Sequence, residues 1–248
     1  MGLRTILARF QQAVAQRSRH KRAALFFTSL APSAATCVLD LGGGRGTHIA
    51  THYPQLRNVW IADRDREALD FAERRFGYRT VLLDGNEALP IADGAFDIVF
   101  CSSVIEHVTG PKDQAVSLFK SDSRRFSALA FDYQKRFARE IRRAGRSYFV
   151  QTPYRYFPVE VHSWLPLAGI LPTHWQWLAI RTVGRFWRPM RTQPDWALLT
   201  ERQMRELFPD AEIHREKVLC FTKSLIAIRH GEGETSQSIS ARPSSLSS

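Results

Sequence analysis

The segment Thr36–Thr47 constrains the fold of this chain more than any other, because it reads T-C-V-L-D-L-G-G-G-R-G-T. Apolar and β-branched residues lead up to Asp40, and glycines follow at positions 42, 43, 44 and 46. This order is typical of a buried parallel strand that ends in a tight, ligand-sized loop before a helix. The segment therefore predicts an α/β fold with a nucleotide-type site, and a purely structural turn is the alternative.

The spacing of the glycines distinguishes between nucleotide ligands. The dinucleotide pattern G-x-G-x-x-G fails, because Thr47 occupies the place of its third glycine. The segment fits D-x-G-x-G-x-G through Asp40, Gly42, Gly44 and Gly46, and this resembles the first motif of class I S-adenosylmethionine-dependent methyltransferases. Glycine lets the backbone turn sharply and approach a ligand closely. An acidic strand end suits this cofactor, which carries an ammonium and a sulfonium and has no pyrophosphate.

From Thr36 onward the chain alternates between strand-like and helix-like segments, which predicts a parallel, doubly wound sheet. The predicted strands after the first are residues 58–62, 80–83, 96–101, 148–151, 211–216 and 218–229, and the clearest helices are 66–76, 131–143 and 199–208. The family resemblance implies a Rossmann-like sheet of seven mostly parallel strands with an antiparallel last strand. It also implies a helical or irregular cap after the fifth strand, while Leu3, Ile6, Leu7, Phe10 and Val14 recur at helical spacing and predict an N-terminal helix.

Acidic residues follow the second and third predicted strands. Asp63 stands where one carboxylate can hold both hydroxyls of a ribose, and Asp65 is the near alternative, although it could equally cap a helix. The block D-G-N-E-A-L-P-I-A-D-G-A-F-D-I-V-F-C-S-S-V-I-E-H-V begins at Asp84. It resembles the small-molecule, ubiquinone and sterol methyltransferase-like group (type 11). The resemblance implies that Asp84 accepts from the adenine amine, that the backbone at Gly85 meets the ring, and that Ser102 adjoins the cofactor.

The residues after the fourth strand narrow the chemistry. Cys101, Ser102, Ser103 and Val104 replace the Asn or Asp, two prolines and aromatic of enzymes that methylate exposed bases. His107 is a candidate proton acceptor near the site, and a structural histidine is the alternative. Further along, T-P-Y-R-Y-F-P-V-E-V-H places Glu160 and His162 two residues apart, so that they can share one strand face. They form the predicted catalytic pair on the acceptor side, with a structural hydrogen bond as the alternative.

The charge distribution bears on partners. The net charge is +11 and the isoelectric point is near 10.1, which favours anionic partners without choosing among nucleic acid, acidic lipid and acidic small molecules. Residues 161–194 contain no acid and alternate tryptophan with arginine. We expect this stretch to cover a greasy, anionic or lipid-linked acceptor and to contact an anionic membrane surface, with a small helical cap as the alternative. The expected location is the cytoplasm, with peripheral attachment to the inner face of a membrane.

The sequence predicts three regions. Residues 1–30 form a basic amphipathic helix that packs on the domain, lies on a membrane or serves as a presequence. Residues 31–230 form the methyltransferase domain, with a cap insertion at about 154–198, and residues 110–130 are expected to form a loop. Residues 231–248 are a disordered, serine-rich tail. Cys37, Cys101 and Cys220 are expected to be buried and reduced, and no metal site is predicted.

The resulting functional prediction is a methyltransferase that moves a methyl group to a small-molecule or lipid-linked acceptor by in-line displacement. Two alternatives remain at this stage: an RNA methyltransferase that uses the basic surface, and a binding or scaffold protein that keeps the fold without catalysis. The sequence predicts neither the methylated atom nor the oligomeric state.

Overall fold

A seven-stranded sheet forms the centre of the protein, in the strand order β3-β2-β1-β4-β5-β7-β6. The computed structural model describes residues 3–85, 88–159, 167–183 and 195–231, with side chains from residue 14 onward except at Val183. The strands are β1 (Cys37–Leu41), β2 (Asn58–Asp63), β3 (Arg79–Leu82), β4 (Phe96–Ser102), β5 (Gly145–Pro153), β6 (Glu212–Val218) and β7 (Phe221–Arg229). All neighbours run parallel except those of β7, which is antiparallel to β5 and β6. The predicted fold is confirmed.

The order in which the chain adds strands reverses at β1, because β2 and β3 lie on one side of it and β4 and β5 lie on the other. Asp40 of β1 is in register with Ile61 of β2 on one side and with Phe100 of β4 on the other. Ligands of open α/β sheets bind outside the carboxyl ends of the strands at such a switch point. The glycine loop that follows β1 therefore lies where this topology creates a crevice.

Helices cover both faces of the sheet. They are α1 (Leu3–Leu30), α2 (Thr47–His52), α3 (Arg66–Phe76), α4 (Lys112–Ser121), α5 (Ser123–Ala144), α6 (Thr173–Val183) and α7 (Glu201–Leu207). Asp65 caps α3 by accepting from the Ala68 N–H, and Gly77 ends that helix in the left-handed conformation. Thr200 and Gln203 form a capping box at the start of α7. These local signals explain why the boundaries of α3 and α7 agree closely with the sequence.

The predicted loop over residues 110–130 is wrong, because α4 and the first turns of α5 occupy it. Asp122 separates the two helices, and its carboxylate accepts from the Arg124 and Arg125 N–H groups to begin α5. The sequence pattern did not indicate these helices, because residues 110–130 are mostly polar and only a few of their apolar side chains are buried. Phe119 and Phe126 nevertheless bury fully against each other, with ring centroids 5.1 Å apart.

The described part of α1 packs on the sheet. Phe26 is fully buried, and its ring meets those of Tyr53, Phe100 and Phe149 edge-on at centroid distances of 5.2–5.6 Å. Burying one such aromatic side chain contributes roughly 2–3 kcal/mol to stability. These contacts place the second half of α1 against β4 and β5.

The cysteine prediction needs one correction. Cys101 is buried and Cys37 is partly buried, but Cys220 is exposed. Cys220 lies in the tight turn between β6 and β7, where Leu219 adopts a φ of 55°, so its side chain cannot reach the core. Within the described ranges, no helix is long and apolar enough to cross a membrane, and no cluster of three His, Cys, Asp or Glu side chains could hold a metal ion.

Candidate functional site

The glycine loop after β1 requires glycine at two positions on steric grounds. Gly42 and Gly44 have φ angles of 78° and 52°, a region that favours glycine. A Cβ on Gly42 would lie 2.5 Å from a Val104 methyl carbon, which is too close for any side chain. Gly46 is also left-handed and begins α2, and its N–H donates to the Gly43 carbonyl at 2.9 Å. The backbone therefore turns tightly, and without side chains at these positions a ligand can approach it closely.

Asp40 lies under this loop with an unusual environment. It is 3% exposed, and within the described part of the chain its Oδ2 atom has no hydrogen-bond partner. A Cβ on Gly43 would lie 2.4 Å from that oxygen, so the carboxyl packs directly against the loop backbone. Burial, and secondarily the charge of Asp63, raises the pKa of Asp40 to about 7. A cation bound at the loop would relieve both effects.

Asp63 anchors the same loop from β2. Its Oδ2 accepts from the Gly44 N–H at 2.9 Å, and its Oδ1 accepts from the Arg64 and Asp65 N–H groups at 2.7 and 3.0 Å. A carboxylate has about four acceptor positions, so one further hydrogen bond can be accommodated. Asp65 instead caps α3, which is the alternative considered for it from the sequence.

A cavity of about 620 Å³, which we call the Asp63 cavity, opens on this side of the loop. Its size lies within the range of roughly 300–1,000 Å³ typical of ligand sites. The predicted site residues that line it are Gly42, Asp63, Asp84, Gly85 and His107. Asp84 is exposed at its rim, and the neighbouring Asn86 and Glu87 lie outside the described residues.

A second cavity of about 580 Å³, which we call the Arg22 cavity, opens on the other side of the loop. Of the predicted site residues, Asp40, Gly42 and Ser102 line it, and its other walls come from α1, β5, the segment after β5, and β7. Arg22 of α1 reaches across to donate to Gln151 Oε1 at 2.6 Å and to Ser102 Oγ at 3.3 Å. The N-terminal helix thus forms part of the site.

Gly42 and Ser103 line both cavities. Ser103 has a φ of 58°, which is unusual for a residue other than glycine, and its Oγ donates to Gln151 Oε1 at 3.1 Å. Strained backbone of this kind is common at functional sites. The two cavities are therefore adjacent, with Gly42 and Ser103 at the border between them.

His107 lies on the Asp63 side and not in the Arg22 cavity. Its Nδ1 is 3.3 Å from Asp195 Oδ1. Burial lowers the pKa of His107, but the Asp195 hydrogen bond and the charges of Glu106 and Asp195 outweigh it, so the pKa is raised. Glu160 and His162 lie outside the described residues, and Tyr156, beside the same strand end, is half exposed.

Sequence reasoning missed several lining residues of the Arg22 cavity: Arg19, Arg22, His48, Gln151 and Lys223. The available signals were the acid-free N-terminal helix and the histidine just after the glycine loop. Burial, followed by the charges of His52 and the two arginines, lowers the pKa of His48 to about 4. His48 is therefore a neutral imidazole at physiological pH.

Comparison with known proteins agrees with this geometry. Residues 38–122 match the model of a family described as a methyltransferase domain. No curated protein matches the sequence.

Three solved structures illustrate the likeness in fold. The PH0226 protein of Pyrococcus horikoshii OT3 is 12% identical, with 88% of this chain and 91% of that chain covered and a TM-score of 0.51. A protein of Bordetella parapertussis is 17% identical, with 87% and 68% covered and a TM-score of 0.50. An S-adenosylmethionine-dependent methyltransferase of Clostridium acetobutylicum is 13% identical, with 93% and 100% covered and a TM-score of 0.48. At these identities the likeness shows the fold alone.

The residues under the loop fit the cofactor of this fold. Asp40 offers a buried carboxyl oxygen without a hydrogen-bond partner among the described residues, beside a loop in which a side chain at Gly43 would fill the space. A buried carboxylate of this kind is stabilised by a ligand with positive charge, as an ammonium and a sulfonium supply. Residues 38–122 are thus similar to a methyltransferase domain, and the arrangement of the sheet and of the acidic residues around the glycine loop agrees with that likeness.

Proposed function

We propose that the chain transfers a methyl group to a small-molecule or lipid-linked acceptor that binds in the Arg22 cavity, while the adenosine part of the cofactor occupies the Asp63 cavity. The observation that carries this proposal is that Gly42 and Ser103 line both cavities, so that the two are adjacent at the glycine loop. Because α1 lines the acceptor side, we further propose that residues 14–30 act together with the domain proposed at 31–230.

The residues of this chain would act mainly by positioning. When bound, S-adenosylmethionine supplies a methyl group on a sulfonium, which a nucleophile attacks in line. Asp40 would hold positive charge under the loop, while Asp63 and Asp84 would bind hydroxyl and amine donors. Gly42, Gly44 and Gly46 would let the backbone approach, and Ser102 would border the junction. Holding two reactants aligned at about 3–3.5 Å can contribute roughly 7–11 kcal/mol to lowering a barrier.

A hydroxyl or ammonium nucleophile must also lose a proton. The proposed acceptors of that proton are His107, His162 and Glu160. His48 is a fourth candidate, because it is neutral and lines the Arg22 cavity, although its low pKa makes it a weak base. Since His107 lines the Asp63 cavity, we expect replacing His107 to lower turnover less than replacing His162.

The test separates cofactor binding from turnover. We expect Asp63→Ala and Asp84→Ala to weaken S-adenosylhomocysteine binding in calorimetry by tenfold or more, on the order of 1.4 kcal/mol. His162→Ala should leave that binding nearly unchanged and lower methyl transfer. Turnover is measured with isotope-labelled methyl donor and separate lipid, small-molecule and RNA fractions, followed by mass spectrometry for the added CH₂. Labelling of RNA alone, or equal loss of cofactor affinity in all three variants, would contradict the proposal.

We also propose contact with an anionic membrane surface. The support is an exposed apolar group on the segment around α6, formed by Leu167, Ile170, Leu171, Trp175 and Leu178. Trp177 instead is partly buried beside α4, as a small helical cap requires. Trp164, Trp187, Arg185, Arg188 and Arg191 lie outside the described residues.

Vesicle flotation tests this contact. The intact protein should float with anionic vesicles at low salt and less with neutral ones, and Trp175→Ala/Leu178→Ala should weaken flotation several-fold. The matched control is Leu82→Ala, which removes an exposed apolar side chain from β3. Absence of flotation at low salt, or equal loss in the control, would rule the contact out.

A further inference from the structure

The Arg22 cavity has an excess of positive charge. The cations Arg19, Arg22 and Lys223 line it, against the carboxyl of Asp40 in its wall and that of Glu216, which lies 3.5 Å from Arg22 Nε. Within the part of the chain that the structure describes, Arg19 and Lys223 form no ion pair. Two cationic side chains of this cavity are therefore left to bind something else.

The environment of Lys223 supports this account. Burial lowers the pKa of Lys223, and the charges of Arg22 and Arg19 lower it further against an opposing effect of Glu216. Arg22 and Arg19 therefore lie close enough to Lys223 for their charges to act on it. An anion placed among them would relieve this repulsion and would be held more strongly than at an exposed site, since the screening by water is weaker there.

The rest of the cavity wall is apolar. Phe157, Pro158 and Val159 contribute from the segment after β5, and Val218, Leu219 and Phe221 contribute from the β6–β7 hairpin. Leu219 is 88% exposed and Phe221 is 50% exposed. Such exposure of large apolar side chains at a cavity rim commonly marks a surface that a ligand covers.

We infer that the acceptor is an amphiphilic anion, whose carboxylate or phosphate binds Arg19 and Lys223 and whose apolar body lies along Phe157, Leu219 and Phe221. This inference rests on the proposed function, since it names the class of molecule that the Arg22 cavity would hold. The carboxylate of the cofactor itself is a competing anion. Arg22 is already engaged by Glu216, Ser102 and Gln151, so Arg19 and Lys223 are the cations available to an added anion, and saturation with S-adenosylhomocysteine in the test below removes the cofactor carboxylate from the competition.

The test uses decanoate, decyl phosphate and decanol as probes, below their micellar concentrations, with protein saturated by S-adenosylhomocysteine. In calorimetry, both anions should bind at least about tenfold more tightly than decanol, the scale expected of a charge-assisted pair. Comparison of decanoate with decyl phosphate distinguishes the two anionic groups. Equal affinity of decanol and both anions would overturn the inference.

Variants then locate the contact. Arg19→Gln/Lys223→Gln should lower decanoate affinity about tenfold or more while leaving decanol and S-adenosylhomocysteine affinities unchanged. The charge-conserving Arg19→Lys/Lys223→Arg should retain decanoate binding, which shows that the site tolerates substitution. Arg57→Gln/Arg74→Gln is the matched control, because it removes the same charge from exposed positions outside the cavity.

The outcomes separate the two proposals. If S-adenosylhomocysteine does not bind or stabilise the unaltered protein, the proposed function itself fails. If it binds normally but decanoate affinity is unchanged in Arg19→Gln/Lys223→Gln, only the anionic acceptor is refuted. If that variant loses S-adenosylhomocysteine and decanoate affinity in parallel, the cations serve the cofactor and the inference is likewise wrong.

Discussion

Replacing Asp40 by asparagine is expected to abolish cofactor binding and yet make the empty protein more heat-stable at pH 8 relative to the unaltered chain. Asp40 is buried beside the glycine loop, and its pKa is raised from 3.8 to about 7. Keeping this carboxyl charged inside the protein therefore costs free energy whenever no cation is bound. Asparagine keeps the shape and removes both the charge and that cost.

The sign of the pH dependence follows from the two pKa values. Below about pH 4 the carboxyl is neutral in both the folded and unfolded chain, and no penalty exists. Between pH 4 and 7, the Asp40 carboxyl ionises in the unfolded chain but stays mostly protonated in the folded protein, so the free-energy penalty grows with pH. Above pH 7 the penalty has reached its full size. One pKa unit corresponds to about 1.4 kcal/mol, so a shift of about three units makes the penalty about 4 kcal/mol. The asparagine amide is buried without a hydrogen-bond partner for one of its atoms, which costs roughly 1–3 kcal/mol and offsets part of the stability gained by removing the charge.

Binding must show the opposite dependence. A ligand that places a positively charged group such as its ammonium beside Asp40 requires the ionised carboxyl, so the unaltered protein releases a proton on binding and loses affinity by up to about tenfold per pH unit below pH 7. Thermal melts from pH 5 to 8, with and without S-adenosylhomocysteine, measure both effects. Asp65→Asn is the control, because it changes the cap of α3 outside both cavities and should alter neither. If the difference in melting temperature between Asp40→Asn and the unaltered protein does not grow with pH, this account of Asp40 is wrong.

The positions of the acidic residues around the glycine loop were predictable because they depend on local signals at strand ends. Asp40 and Asp63 lie at the ends of β1 and β2, Asp84 follows β3, and parallel strands bring their carboxyl ends to one edge. The sequence alone could not assign the second role of Asp63, which holds the Gly44 N–H. That contact depends on how the loop folds back over β2, and no residue pattern indicates it.

The lining of the Arg22 cavity was not predictable, because its residues come from distant parts of the chain. Arg22 and Gln151 are 129 positions apart in the chain, yet a guanidinium nitrogen of Arg22 lies 2.6 Å from Gln151 Oε1. In sequence, Arg22 is one of several basic residues on an N-terminal helix, and nothing distinguishes it from those that face water. Lys223 likewise follows an ordinary strand pattern. Only the packing of α1 across β4, β5 and β7 brings these cations together.

Histidines illustrate the same limit. His107 follows β4 directly, which indicated a place beside the reacting atoms, but the turn carries it to the Asp63 side near Asp195. His48 follows the glycine loop and received no role, although it lines the Arg22 cavity. Position along the chain therefore predicted nearness to the site but not which cavity each imidazole would line.

Replacing Arg22 by methionine is expected to produce the largest loss of stability of any change at the site. Arg22 pairs with Glu216 inside the protein, where the two side chains are only 12% and 5% exposed. Removing the arginine leaves Glu216 buried with a poorly compensated charge. Breaking such a pair from one side costs about 3–5 kcal/mol, and the nearby Lys223 should keep the loss near the lower figure.

The design of this experiment depends on a double variant. Arg22→Met alone should lower the melting temperature by roughly 6–12 °C, at about 2–4 °C per kcal/mol for a domain of this size. Arg22→Met/Glu216→Leu should recover most of that loss, because the stranded carboxylate is gone and the two apolar side chains can pack. The control is Arg215→Met, which breaks an exposed pair with Glu201 and should cost at most about 1 kcal/mol. If the double variant is no more stable than Arg22→Met, the loss comes instead from the bonds of Arg22 to Gln151 and Ser102, and α1 is held by that network.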